Sequence, residues 1–305
     1  MSSIKKAAAF DIGTNSILGC IAEKQNNHIR VIKELNTIVK LGKDLSNDNI
    51  LKKEKIEDAV KVICEFKKVV ESYGIESVMA AGTMVLRKAK NRKHLIEMVK
   101  ERCSVYIKLV STYEEALLSY LGVISGLKGR TNKITVIDIG GGSTEIISGK
   151  DKEIIGVHSF ELGIIDLTEK FFYEEEVKEK NIREAFGYVD KKLCKVKVED
   201  RDLFIGIGGT ITNFAAIKHK MKEYDPELIN ITYLSREEIE YIFNILKEKN
   251  LKERRKVEGL GYKRADTIIA GGVILIKIMN YLNIQRFLVS DRGLRHGLLY
   301  KFFMR

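Results

Sequence analysis

Two stretches of this sequence set an acid beside a glycine-rich turn. In "FDIGTNSILGC", Phe10 to Cys20, Asp11 precedes Gly13 and then Thr14, Asn15 and Ser16. In "IDIGGGSTEII", Ile137 to Ile147, Asp138 precedes Gly140, Gly141 and Gly142, followed by Ser143, Thr144 and a second acid, Glu145. A bend made of glycine exposes backbone N–H groups with no Cβ to shield them, and such concavities bind phosphate oxygens. The hydroxyl and amide side chains beside the glycines add neutral donors suited to the same ligand. Asp11 and Asp138 should not face a bare polyanion, and Mg²⁺ or Mn²⁺ bridging carboxylate and phosphate resolves that conflict. A third element, "IGIGGTITNFAAI", sets Gly208, Gly209 and Thr210 where a strand meets a helix, whose first N–H groups and dipole favour an anion. Either turn alone reads equally well as a plain tight bend. Three such elements in one chain favour phosphate.

The elements that must position these residues follow from periodicity. Apolar segments "AAAF", "ILGCIAE" and "IRVIKEL", separated by turn residues, predict hairpins over residues 7–39. Ile56, Val60, Ile63, Val70 and Tyr73 recur at helical spacing and end at Gly74. "ESVMAAG" and "VYIKLV" predict strands, residues 91–102 a helix, and Thr112 the start of another. From "KITVIDIG" the pattern begins again: strands and turns, a helical region over 164–197, the strand "LFIGIGG", and a helix near Thr210. Helices near 235–248, 264–282 and 293–303 follow, with the strand "RFLVS" between the last two. Superposing Asp11 on Asp138 aligns Ile12 with Ile139, Gly13 with Gly140 and Ser16 with Ser143. A duplicated α/β lobe is the expectation, with a cleft between the two copies. The expected boundaries are 1–122 and 123–292, with the segment 293–305 a candidate to pack back on the first lobe.

Composition bounds the remaining choices. The chain has 305 residues, 45% hydrophobic and 31% charged, which is an ordinary globular balance. No apolar run reaches the roughly 20 residues of a spanning helix. Cys20, Cys64, Cys103 and Cys194 are scattered and read as reduced thiols of a cytoplasmic protein. The net charge of +11 suits a polyanionic partner, and it equally suits Lys-rich solvated helix faces. No aromatic-basic motif of a nucleic-acid reader is present, so neither nucleic acid nor membrane is an expected partner.

Seven stretches in order, "AAFDIGTNS", "AAGTMVLRKAKN", "LVSTYEEALLSYLGV", "VIDIGGGSTEII", "IGIGGTITNFAA", "YKRADTIIAGGVIL" and "VSDRGLRHGLLY", resemble the motifs of the exopolyphosphatase and guanosine-pentaphosphate phosphohydrolase family. That family lies within the superfamily of actin, sugar kinases and heat-shock ATPases. The resemblance implies two ribonuclease H-like, actin-like lobes and Mg²⁺-dependent release of terminal phosphate from polyphosphate. Guanosine pentaphosphate or another nucleoside polyphosphate is the alternative substrate. It also implies that Glu115 is the catalytic carboxylate. Glu145, Asp11 and Asp138 match the family's other acids. Asn15, Ser16, Arg87, Gly141, Ser143, Thr144, Gly208, Gly209 and Thr210 match phosphate-contacting positions. The chemistry agrees: anhydride hydrolysis needs an oriented water and neutralised charge, with little covalent machinery. Glu115 would deprotonate the water, Glu145 would assist it or ligate the metal, and Arg87 would brace the developing charge.

Each assignment has a competitor. Thr112-Tyr-Glu-Glu115 fits a capping box, in which Glu115 would merely close the helix start, and Glu114 is the alternative acid. Glu145 could be an outward-facing strand residue and Arg87 an ordinary surface charge. Arg264, Asp266, Arg295 and His296 read as packing or capping groups. The residues after Ser16 are apolar where relatives often carry Arg or His, so one phosphate contact is missing. With no His-Asp dipeptide, the chain resembles the short, two-domain branch, for which a homodimer would supply an extended basic groove. A kinase of the wider superfamily and a non-catalytic sensor of polyphosphate or nucleotide are the remaining readings.

Overall fold

The computed structural model describes residues 6–25, 28–127, 133–193 and 203–304. The chain divides into two compact units, one of residues 1–128 with 292–305, the other of residues 129–291. The cut expected after residue 122 therefore falls inside a helix, Thr112–Ile124.

In the first unit, β1 (Lys6–Ile12), β2 (Ser16–Gln25) and β3 (His28–Ile38) form an antiparallel meander. β4 (Met79–Gly82) and β5 (Ile107–Leu109) extend it in parallel, giving the order β3-β2-β1-β4-β5. The period of two sorts the strand residues. Ala8, Phe10, Ile12, Ile17 and Ile21 face α2 (Lys53–Ser72), whose Ile56, Val60, Ile63 and Phe66 complete the main core. Ala7, Ala9, Cys20 and Ala22 face the other way, where their small size lets the terminal helix Leu294–Phe303 lie close through Leu299 and Phe303. Between these elements run α1 (Leu45–Asp48), α3 (Met84–Lys88), α4 (Arg92–Cys103) and α5 (Thr112–Ile124). A Cβ at Gly297 would lie 1.9 Å from the Leu118 carbonyl oxygen, and one at Gly122 would lie 2.1 Å from that of Gly293. These two glycines let α5 and the terminal helix approach backbone to backbone.

Polar ties also hold that helix, the main one centred on Glu34. Glu34 Oε2 accepts from Arg295 Nε at 2.8 Å, and Glu34 Oε1 pairs with His296 Nε2 at 2.7 Å. Burial alone would raise the Glu34 carboxyl, but Arg295 and the His296 hydrogen bond overcome it and hold the pKa at about 2. A carboxyl depressed on folding contributes stability above its unfolded value of about 4.3 and loses it as pH falls through its folded value. Glu34→Gln is expected to cost roughly 2 kcal/mol at pH 7, after discounting for partial exposure, and much less near pH 2. Urea unfolding at the two pH values checks this.

The second unit repeats the plan. β6 (Lys133–Ile139), β7 (Thr144–Lys150) and β8 (Glu153–Phe160) form the meander. β9 (Leu203–Ile207) pairs in parallel with β6, and β11 (Arg286–Val289) with β9. β10 (Tyr233–Ser235) adds an antiparallel edge, for the order β10-β11-β9-β6-β7-β8. The core joins Ile137, Ile139 and Ile146 to α6 (Ile164–Phe171), α7 (Glu179–Leu193), α8 (Gly209–Lys218), α10 (Arg236–Lys247) and α12 (Ile268–Tyr281). Between these lie α9 (Pro226–Asn230) and α11 (Leu251–Arg254). The single helical region expected over 164–197 is thus two helices separated by residues 172–178, and its last residues, with Cys194, lie outside the described set. Helix α12 starts at Ile268 rather than 264, because residues 262–264 form a separate 3₁₀ turn. Both sheets are therefore built as a three-strand meander continued by parallel strands, an α/β fold used twice. Among the described residues no helix is long and apolar enough to cross a membrane.

Candidate active site

The two glycine turns close in the same way. Gly13 N–H donates to the Ser16 carbonyl at 3.0 Å, and Gly140 N–H donates to the Ser143 carbonyl at 2.9 Å. A Cβ at either glycine would sit 3.0 Å from the serine oxygen it serves. The alignment of the two sequences is thus also an alignment of hydrogen bonds.

In the first unit the turn is fixed from behind. The Thr14 carbonyl accepts from Gly42 N–H (2.9 Å), and the Asn15 carbonyl from Val39 (3.1 Å) and Lys40 (2.9 Å). Thr14, Asn15 and Ser16 are all buried. Asn15 Oδ1 and Nδ2 nonetheless have no hydrogen-bond partner among the described residues. Leaving a buried polar group unpaired costs about 1–3 kcal/mol, so this amide is placed for something besides the fold.

Thr83 ties the next element to the end of β1: its N–H (3.2 Å) and Oγ1 (3.1 Å) both donate to the Ile12 carbonyl. That anchors α3 and, in its last turn, Arg87. Arg87 Nη1 donates to the Val110 carbonyl at 3.0 Å and to Glu115 Oε2 at 2.5 Å. The capping box at α5 is shifted by one residue from the one read in the sequence. Ser111, not Thr112, is the cap; its Oγ accepts from Glu114 N–H (3.1 Å), and Glu114 Oε2 accepts from Ser111 N–H (3.1 Å). Glu114 also pairs with Lys108 at 2.9 Å. Capping therefore occupies Glu114 and leaves Glu115 to Arg87. Burial pushes the Glu115 carboxyl up while the Arg87 charge and hydrogen bond pull it down, and burial prevails. A carboxylate held by a guanidinium yet poised above the usual range suits a general base.

In the second unit Asp138 stands directly opposite Glu145 across β6 and β7, so both carboxylates leave the same face of the sheet. Glu145 is buried, contrary to an outward-facing strand position, and its Oε1 accepts from Ser159 Oγ at 2.8 Å. Ser159 is a partner that motif reading misses. The turn is braced by α6: Ile164 N–H donates to the Gly140 carbonyl (3.2 Å) and Ile165 N–H to that of Gly141 (2.9 Å). Gly163 permits this approach, since a Cβ there would lie 2.2 Å from Gly142 Cα. Thr144 is fully buried and its Oγ1 donates to the Leu162 carbonyl at 2.5 Å, so that hydroxyl secures the loop entering α6.

Gly208 caps α8 at φ +94°, and a Cβ there would sit 2.7 Å from the Ile139 carbonyl oxygen and 3.2 Å from Asp138 Oδ1. The third glycine element therefore adjoins the acid of the second. Arg264 lies over Gly209, where a Cβ would meet its Cζ at 2.3 Å. Burial lowers the Arg264 pKa to about 10 against the opposing pull of Asp266, which leaves it cationic at neutral pH. Thr210 packs instead on Gly271. Gly208→Ala is expected to lower stability by roughly 1–3 kcal/mol and to push Asp138 off its position. Urea unfolding of the variant measures the first effect, and its crystal structure the second.

The sequence profile of the Ppx/GppA phosphatase family matches residues 20–305. The chain belongs to this family. Ppx/GppA membership places it among hydrolases of phosphoanhydride bonds. Over 297 residues it is 33% identical to a bifunctional 3-dehydroquinate synthase/phosphatase of Fusobacterium nucleatum, covering 93% of this chain but only 44% of that longer protein. It is 29% identical to a Haemophilus influenzae protein that carries an exopolyphosphatase name, over 98% of this chain and 91% of the other. A crystal structure of the Aquifex aeolicus Ppx/GppA family member superposes with a TM-score of 0.84 at 32% identity, covering 98% of both chains. The repeated α/β plan is thus the Ppx/GppA fold, of the actin-like ATPase type.

Proposed function

We propose that the protein is an exopolyphosphatase that releases terminal orthophosphate from inorganic polyphosphate, using Glu115 as the base for the attacking water. The observation that carries this reading is the half-buried Glu115 carboxylate, fixed by Arg87 while its neighbour Glu114 is taken up by the helix cap. Glu115 takes a proton from water, the water oxygen attacks the terminal phosphorus, and the bridging P–O bond breaks to release a shortened chain. Arg87 positions Glu115. The backbone of the Gly13–Ser16 and Gly140–Ser143 turns, the Asn15 amide, and the start of α8 at Gly208 and Gly209 are the proposed phosphate contacts.

Asp11 and Asp138 are the proposed carboxylates for Mg²⁺, or Mn²⁺, with Glu145 beside Asp138. Their donor set fits, being entirely hard oxygen. The space beside Asp138 Oδ1 is kept open by Gly208, where a Cβ would fill it. The cation supplies charge neutralisation on the phosphate oxygens when bound.

The test is phosphate release from polyphosphate with and without Mg²⁺, with guanosine pentaphosphate as competitor. Mg²⁺-dependent release that polyphosphate saturates first supports the proposal. Release from guanosine pentaphosphate alone would assign the same machinery to the nucleotide, and tight binding of either without turnover would make the protein a sensor.

A further inference from the structure

We propose that Cys20, Glu34 and His296 form a second metal site, selective for a zinc-class divalent ion and separate in chemistry from the all-oxygen acids at the turns. Cys20 on β2 stands directly opposite Glu34 on β3, so the sheet presents thiol and carboxylate on one face. The terminal helix lays His296 over that face, and Glu34 Oε1 lies 2.7 Å from His296 Nε2. One ligand atom from each of the three side chains lies within 4.8 Å of the other two. Beside Cys20 on β1 is Ala9, whose small side chain leaves the helix room to approach.

Sulfur, imidazole nitrogen and carboxylate oxygen together match the ligand preference of Zn²⁺ or Co²⁺ rather than Mg²⁺. Ligands of one tetrahedral zinc ion, with bonds of about 2.0–2.3 Å, lie roughly 3–4 Å apart. The cluster is therefore already near size, and the Glu34–His296 contact need open only slightly. Arg295 Nε holds Glu34 Oε2 at 2.8 Å, leaving Oε1 for the ion and supplying the outer hydrogen bond that ligating carboxylates carry. Cys20 and His296 are buried, whereas the Glu34 side chain is 28% exposed, so the ion and a fourth, water ligand enter from the Glu34 side. On binding, Cys20 gives its thiol proton to solvent. His296 binds through Nε2 and carries its proton on Nδ1, giving up the long 3.3 Å bond from Gly293 N–H. The consequence is a clasp fastening the returning terminal helix to the edge of the first sheet.

Zinc titrated into the full-length protein, followed by zinc X-ray absorption, tests this without any substitution. One sulfur at about 2.3 Å with nitrogen and oxygen at about 2.0–2.1 Å is expected, at one ion per chain. A shell of nitrogen and oxygen alone would place the ion on the carboxylates elsewhere and overturn the site. Cobalt should give a thiolate charge-transfer band in wild type that Cys20→Ser abolishes, with at least 100-fold weaker binding. A band that survives in Cys20→Ser would assign the sulfur to Cys64, Cys103 or Cys194 and also refute the proposal. Basal Mg²⁺-dependent phosphate release by Cys20→Ser is expected to be unchanged, which keeps this test apart from that of the hydrolytic reading.

Discussion

Glu115→Gln is expected to lower kcat for phosphate release from polyphosphate by about 10²–10⁴-fold, with KM nearly unchanged. Gln keeps the length of the side chain, and its carbonyl can still accept from Arg87, so the α3–α5 contact persists and the protein stays folded. What is lost is the capacity to take a proton. The neighbouring Glu114→Gln serves as the contrast: it weakens a cap by about 1 kcal/mol and should leave kcat within a few-fold. Wild-type-like turnover by Glu115→Gln would remove the base from this position. The pH profile adds an independent measure. A base must be ionised, and burial raises the Glu115 carboxyl, so activity should fall on the acid side at a pH above the ordinary carboxylate range. Arg87 opposes that rise, so replacing it with Met should move the acid limb further up.

Asp138→Asn is expected to separate activity from stability. Asp138 and Glu145 face each other across two strands, and like charges directly opposite are unfavourable in a sheet. Removing one charge should leave the metal-free protein equally stable, or more stable by up to about 1 kcal/mol. Phosphate release should nevertheless fall by on the order of 10²-fold or more, with the Mg²⁺ concentration for half-maximal rate displaced upward. A Mg²⁺ titration of the rate beside a denaturation curve reads both quantities. Equal losses of stability and activity would make Asp138 a structural residue instead. Asp11, at the matching position of the first turn, provides the parallel test.

The two glycine turns were legible in the sequence because everything that defines them is local. An acid, a glycine and a serine at fixed spacing recur after 127 positions (138 − 11), and a tight turn depends on those few residues alone. The helices Lys53–Ser72 and Ile268–Tyr281 were likewise readable, since burying one face or all of a long helix marks every few residues.

The partners of the acids were settled only in three dimensions. Which of two adjacent glutamates faces Arg87 depends on whether the cap is Ser111 or Thr112, a one-residue phase that turns a side chain by about 100° around the helix. Ser159 reaches Glu145 because a bulge at Ser148 and Gly149 shifts the β7–β8 register; counting evenly from the Asp151–Lys152 turn would place His158 there. Thr144 was read as a phosphate donor, yet its hydroxyl serves a carbonyl 18 residues away. Glu34 and His296 meet across 262 residues because the last helix returns to the first sheet. Spacing along the chain specifies what a turn or helix face can offer. Register, helix phase and the return of distant segments determine which group receives it, because they are set by contacts summed over the whole core.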